Sequence, residues 1–290
     1  MLRAKKFENK IIELRKRFYK CLPGKESLLK LLNEAEASEH VYNSNAIENS
    51  TLTLEETERI LQQMDLERFV SERELFEAKN LARVMAYMES KAQEEEISLP
   101  LMLRLHDMLI RNIRDEISGR FRKTGEWVRV GSHVGADPKD VEMRLFALLA
   151  EYLGNKDEHI VRRVARFHLE FEDIHPFCDG NGRIGRTLNN FALLREGYVT
   201  INIAFADRAR YYDAFREYHT QKKTGTMEEI IGRALAMSYH KRLAYLEGKR
   251  IVRLKDYAKS KKFSYTNLIN KAKRQTIEAF LEKGEWKIGE

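Results

Sequence analysis

Of the residue types that cross-link, break or loosen a chain, 290 residues contain only two cysteines, four prolines and fifteen glycines. So few turn formers argue against a fold of many short strands and for long helices. Cys21 and Cys178 stand far apart and lack metal-ligand spacing, which predicts free thiols in a reduced, cytoplasmic chain. No apolar run approaches the roughly 20 residues that span a bilayer. The opening stretch MLRAKKFENKII is charged and has no apolar centre of a secretory leader, so neither a membrane partner nor secretion by that route is expected. Internal repeats and low-complexity tracts are also lacking.

What is present is a core and an uneven charge. Hydrophobic residues make up 43% of the chain, enough to bury a main domain, and 33% are charged. The net charge of +7 is a property of one end: residues 249–290 hold twelve Lys or Arg against five Asp or Glu, which leaves the remainder neutral.

The hydrophobic spacing predicts helix after helix. Phe7, Ile11, Leu14 and Phe18 share a face before Pro23-Gly24 breaks the segment, and a second helix runs through Leu28, Leu31, Ala35 and Tyr42 towards Ile47. Thr53 with Glu56 fits a capping box opening a third. The 3.6-residue pattern returns over residues 72–91, 100–113, 141–152, 160–174, 205–222 and 226–246. Between two of these, Arg120-Phe121-Arg122 and Trp127-Val128-Arg129-Val130, separated by Thr124-Gly125, read as the strands of a hairpin.

The chemistry concentrates in His175-Pro-Phe-Cys-Asp-Gly-Asn-Gly-Arg-Ile-Gly-Arg186, placed where one helix ends and another begins. Gly180 and Gly182 permit a tight turn and close approach of backbone to a ligand. The N–H groups that open the second helix form an anion site. Arg183 and Arg186, three apart, lie on neighbouring positions that can reach a polyphosphate. Asp179 is a hard oxygen ligand suited to Mg²⁺ between phosphates, and His175 titrates near neutral pH as a base must. Alone, a glycine loop is usually a turn and a histidine usually structural or solvated, as His40, His106 and His240 are read. Seven apt residues in twelve positions point instead to phosphoryl or nucleotidyl transfer.

This stretch resembles the Fic family signature H-x-F-x-[D/E]-G-N-G-R-x-x-R at every defined position, and the resemblance extends over roughly residues 71–245. It implies a mainly helical, all-α fold with a small β-hairpin flap, and transfer of AMP from ATP to a Ser, Thr or Tyr hydroxyl of a target protein and of the chain itself. In that reading His175 deprotonates the hydroxyl and Phe177 anchors the loop. Asp179 holds Mg²⁺, with Mn²⁺ as an alternative, and Gly180, Asn181, Gly182, Arg183 and Arg186 bind the phosphates. The flap residues Val128, Arg129, Val130, Gly131, Ser132 and His133 align the target chain by strand addition. Upstream, Ser44-Asn45-Ala46-Ile47-Glu48-Asn49 resembles the family's inhibitory motif [S/T]-x-x-x-E-[G/N] in the subclass whose inhibitory helix precedes the core. The resemblance pairs Glu48 with Arg186. A glutamate on a helix is otherwise most often solvated.

Residues 253–288 suggest two short helices (254–259 and 264–274) and a two-stranded wing, similar to the winged helix-turn-helix of excisionase-like DNA-binding domains. Lys271, Lys273 and Arg274 would then face DNA; a charged appendage that packs on the core or binds protein is the alternative. The expected division is 1–70 (inhibitory helical region), 71–248 (Fic core) and 249–290 (basic winged-helix-like region). Expected partners are ATP, a hydroxyl-bearing protein, DNA at the C-terminal end and a second copy of the chain. Two alternatives stay open: removal of AMP by the same site, and a DNA-binding regulator with secondary transfer activity.

Overall fold

The computed structural model describes residues 2–130 and 133–290, with side chains from residue 7 onward. Gly131 and Ser132 of the expected flap lie outside the described residues. The α-helices among the described residues are α1 (Leu2–Cys21), α2 (Glu26–Ile47), α3 (Leu54–Leu61), α4 (Glu72–Lys91), α5 (Leu99–Ile110), α6 (Val141–Gly154), α7 (Ile160–Ile174), α8 (Asn181–Arg195), α9 (Arg208–Gln221), α10 (Gly225–Leu246), α11 (Leu254–Ser260) and α12 (Tyr265–Lys273). The strands are β1 (Arg129–Val130), β2 (His133–Val134), β3 (Ile251–Arg253), β4 (Ala279–Glu282) and β5 (Glu285–Gly289). Among the described residues no helix is long and apolar enough to cross a membrane, and both cysteines are free thiols.

The chain divides into two compact units. One comprises residues up to Glu36, Val199–Asn202 and Glu229–Glu290; the other comprises Ala37–Tyr198 and Ile203–Glu228. In the first, Ile11, Leu14 and Phe18 of α1 are buried as their spacing requires, and Phe18 meets Tyr239 edge-on at 5.6 Å. Buried Arg242 pairs with Glu36 at 2.7 Å, and Glu36 also takes Lys241 at 3.1 Å. A buried guanidinium left without such a partner would cost several kcal/mol, about 3–5. At the C-terminal end, Leu254 and Ala258 of α11, Leu268 and Ala272 of α12, and Ala279 and Ile288 of the sheet form a small core. The sheet order is β3-β5-β4, all antiparallel. Strand β3, which pairs Val252 with Ile288, is an addition to the two strands expected there.

The second unit is built on α7 and α8. Ile160, Val164, Phe167, Phe171 and Ile174 recur along one buried face of α7, and Ile184, Leu188 and Phe191 along α8. Thr53 and Glu56 form the expected capping box at α3, and α4 covers residues 72–91 as its periodicity predicts.

The hairpin differs from its expectation. The pairing joins β1 to β2, with Val130 opposite His133, and residues 120–127 form no strand. Arg122 explains the shift: its guanidinium is buried and donates to the carbonyls of Glu126, Ala136, Ile174 and His175. Its main-chain N–H likewise goes to the Pro176 carbonyl, at 3.0 Å, and not to a neighbouring strand.

Candidate active site

Helix α7 stops because Pro176 disfavours the right-handed helical region at the residue before it. His175 takes φ 53° and ψ 64° instead, and its N–H still closes the last turn on Phe171 at 2.9 Å. Gly180 opens α8 at φ 79°, where a Cβ would meet Leu109 at 3.0 Å, so glycine suits both the turn and the space. Between these points the loop is held from three sides. Asn181 receives the Phe177 N–H and donates to the Phe177 carbonyl, each at 2.8 Å. Phe177 is wholly buried and stacks on His106 at 3.9 Å. His106 accepts the Gly119 N–H through Nδ1 and donates through Nε2 to the Asp179 carbonyl, both at 3.1 Å. Arg122 takes the carbonyl of His175 at 2.8 Å. The side chain of Asn181 is thus spent on the loop itself, which leaves its main-chain N–H at the start of α8 as the group that can face an anion.

Arg186 is buried on α8 and fully engaged. Nε donates to Ser44 Oγ at 2.9 Å, and one terminal nitrogen to Tyr211 Oη at 3.2 Å. The other reaches the Ser44 carbonyl at 2.8 Å and Glu48 Oε1 at 2.9 Å. Ser44 and Glu48, four apart at the end of α2, present one helical face to the guanidinium. A carbonyl near a helix C-terminus favours a cation there. Asn49 at φ 71° ends the turn, and its Oδ1 accepts from Arg208 at 2.6 Å. The Glu48 carboxylate also covers the first turn of α8: a Cβ on Gly182 would overlap it. Glu48 therefore stands at an N-terminal anion site and on the arginine beside it. Tyr211 has no signal in the sequence as a site residue. Its hydroxyl also contacts Nε2 of fully buried His168 at 2.7 Å.

Asp179 and Arg183 form a second cluster. Asp179 accepts from Gly180 N at 2.6 Å and from Arg183 and Arg73, each at 3.2 Å, while Arg183 also reaches Glu77 at 3.4 Å. Arg183 Nε is buried without a hydrogen-bond partner. His175 Nδ1 lies 3.3 Å from the Glu172 carbonyl and 3.6 Å from the Glu172 carboxylate. His175, Gly182, Arg186 and Glu48 line one cavity of about 640 Å³, joined by Tyr211, Tyr212 and the flap residues Arg129, Val130 and His133. Val128 closes the flap by accepting the Gly135 N–H at 3.0 Å. Lys271, Lys273 and Arg274 belong to the other unit, where all three are exposed on or just after α12.

Burial pushes His106 down to about 4 and His168 to about 3, so both imidazoles are neutral at neutral pH. In the unfolded chain each takes a proton near 6.5. A depressed folded value means stability that is present above 6.5 and lost as pH falls towards 4. The His106→Gln variant should lose less stability than wild type when denaturant midpoints are compared between about pH 7 and about pH 5. Parallel slopes would contradict the assignment of His106 as the neutral support of the loop.

Residues 96–193 match the model of the Fic/DOC family. The chain is 32% identical over 228 residues to "Protein adenylyltransferase Fic" of Nematostella vectensis, covering 77% of this chain and 52% of that protein. It is 32% identical over 205 residues to the protein of the same name in Drosophila grimshawi, covering 66% of this chain and 42% of that one. The chain thus spans about half the length of the curated relatives it matches. Among solved structures, a Fic domain containing signaling protein from Bacteroides thetaiotaomicron superposes with TM-score 0.75 at 23% identity, over 83% of this chain and 98% of that one. A Fic family protein from Desulfovibrio desulfuricans covers 97% of this chain and 96% of its own, at TM-score 0.66 and 22% identity. These structures share the fold.

Proposed function

We propose, from the Fic domain that this chain carries, that it transfers AMP from ATP to a protein hydroxyl and is held inactive by Glu48. The observation that supports it most is the convergence of His175, Gly182, Arg186 and Glu48 on one cavity. His175 accepts the proton of the target hydroxyl as its oxygen bonds to the α-phosphorus. The bond to the bridging oxygen breaks, and pyrophosphate leaves with the electron pair. The N–H groups of Asn181 and Gly182 and the guanidinium of Arg183, whose Nε has no partner, receive the phosphate oxygens. Glu48 occupies the guanidinium that the γ-phosphate needs, so ATP binds with its α-phosphate out of line with the attacking oxygen.

The loop fits a divalent cation of the Mg²⁺ type, because Asp179 offers a single hard carboxylate beside the phosphate cradle, the usual protein share of such a site. Asp179 would hold it, and when bound it neutralises phosphate charge. We keep residues 1–70 as the inhibitory region, 71–248 as the transfer core and 249–290 as a winged helix-turn-helix. The exposed Lys271 and Lys273 on α12 and Arg274 just after it support DNA as its ligand.

Two experiments check this reading. In a Glu48→Gly background, transfer of α-phosphorus label to protein should fall about 10²–10⁴-fold in the His175→Ala variant, with ATP binding largely retained. Unchanged labelling by that folded variant would remove His175 from the mechanism. Separately, DNA retention by the full chain should drop steeply with salt and be lost when Lys271, Lys273 and Arg274 become Ala. No retention even at low salt would return the C-terminal region to a packing or protein-binding role.

A further inference from the structure

At the edge of the same cavity, which His133 and His219 line, stand three side chains that no chemical step of AMP transfer uses. His133 stands on β2, Asp173 on α7 two residues before His175, and His219 on α9. Their ligand-capable atoms all lie within 4.8 Å of one another. His219 Nδ1 is 2.9 Å from Asp173 Oδ1, and His133 Nε2 is 3.9 Å from the same oxygen. The two imidazoles stack at 4.0 Å with 19° between their planes.

The ordinary explanation is a histidine–aspartate hydrogen bond with a second ring resting on it. That accounts for His219 and leaves His133 unexplained, since its Nε2 is buried with no hydrogen-bond partner. A buried nitrogen without a partner costs about 1–3 kcal/mol, and it is aimed at an oxygen too far away to bond. The neighbouring Arg144 and Lys222 leave that oxygen to the two histidines. Arg144 and Lys222 take the opposite one, Asp173 Oδ2, at 3.2 and 3.3 Å, and Arg144 is itself balanced by Glu170 at 2.7 Å.

We propose that His133 Nε2, His219 Nδ1 and Asp173 Oδ1 form a binding site for a transition-metal ion of the zinc type. Two imidazole nitrogens and one carboxylate suit Zn²⁺ and its neighbours and are poorly suited to Mg²⁺ or Ca²⁺, which take oxygen ligands. Three protein ligands leave a fourth position open, and both histidines line the cavity from which it would be filled. The three ligands come from three separate elements. A bound ion would therefore fasten the second flap strand to the end of α7 and to α9, fixing the edge beside His175.

The site is tested with the metal alone on the full chain, independently of any transfer activity. Chelator-treated protein is titrated with Zn²⁺ by calorimetry and with Co²⁺ by visible absorption. One equivalent of Zn²⁺ is expected, with the intense visible bands of four-coordinate Co²⁺. His219→Ala, at an exposed position, and His133→Ala should each weaken Zn²⁺ at least about tenfold, with thermal unfolding of the metal-free variants confirming that they fold. His175→Ala should keep the metal. Failure of wild type to bind Zn²⁺ would overturn the site, as would equal uptake by the His133→Ala/His219→Ala double variant.

Discussion

The guanidinium of Arg186 is the group on which the arrangement of the candidate site turns. It is buried on α8, and its bonds to Ser44, Glu48 and Tyr211 reach the end of α2 and the face of α9. A buried charge cannot stay unpaired cheaply; removing one partner of such a pair typically costs about 3–5 kcal/mol. An exchange of partners is another matter. A phosphate that arrives with its own negative charge can replace the carboxylate while Arg186 remains satisfied, so the energy that opposes exchange is only the difference between two charge-assisted interactions. Glu48, about one third exposed, is the partner placed to leave.

Around that pair the loop is rigid for reasons unrelated to phosphate. His106, Asn181, Phe177 and Arg122 consume the polar groups of the turn with one another and with its backbone. His175 is the histidine of this set with room to act, since His106 and His168 are fully buried and kept neutral. Its backbone is held at φ 53° by the following proline and by Arg122, so its place in the cavity is set by the fold.

The helices were legible because their burial follows from spacing. Residues 72–91 and the box at Thr53 and Glu56 are local patterns with local causes. The hairpin was misplaced because Arg120-Phe121-Arg122 alternates like a strand, whereas the bonds that bury Arg122 come from residues up to 53 positions away. Strand β3 was missed for a similar reason: three residues have little pattern of their own and exist as a strand through β5. The loop from His175 to Gly180 was readable as the joint between two helices from its proline and glycines. The approach of Glu48 to Arg186, 138 residues apart, was readable only through a family resemblance. Nothing in the sequence brings His133, Asp173 and His219 together, since each is an ordinary residue on its own element.

Competition between Glu48 and the γ-phosphate for Arg186 is tested most directly by the rate of self-labelling. With α-phosphorus-labelled ATP, the Glu48→Gly chain should label itself one to several orders of magnitude faster than wild type, each tenfold corresponding to about 1.4 kcal/mol of barrier. Adding Arg186→Ala to Glu48→Gly should return labelling to the level of Arg186→Ala alone. Equal rates for wild type and Glu48→Gly, with His175 intact, would contradict the account and leave Glu48 an ordinary partner of a buried arginine.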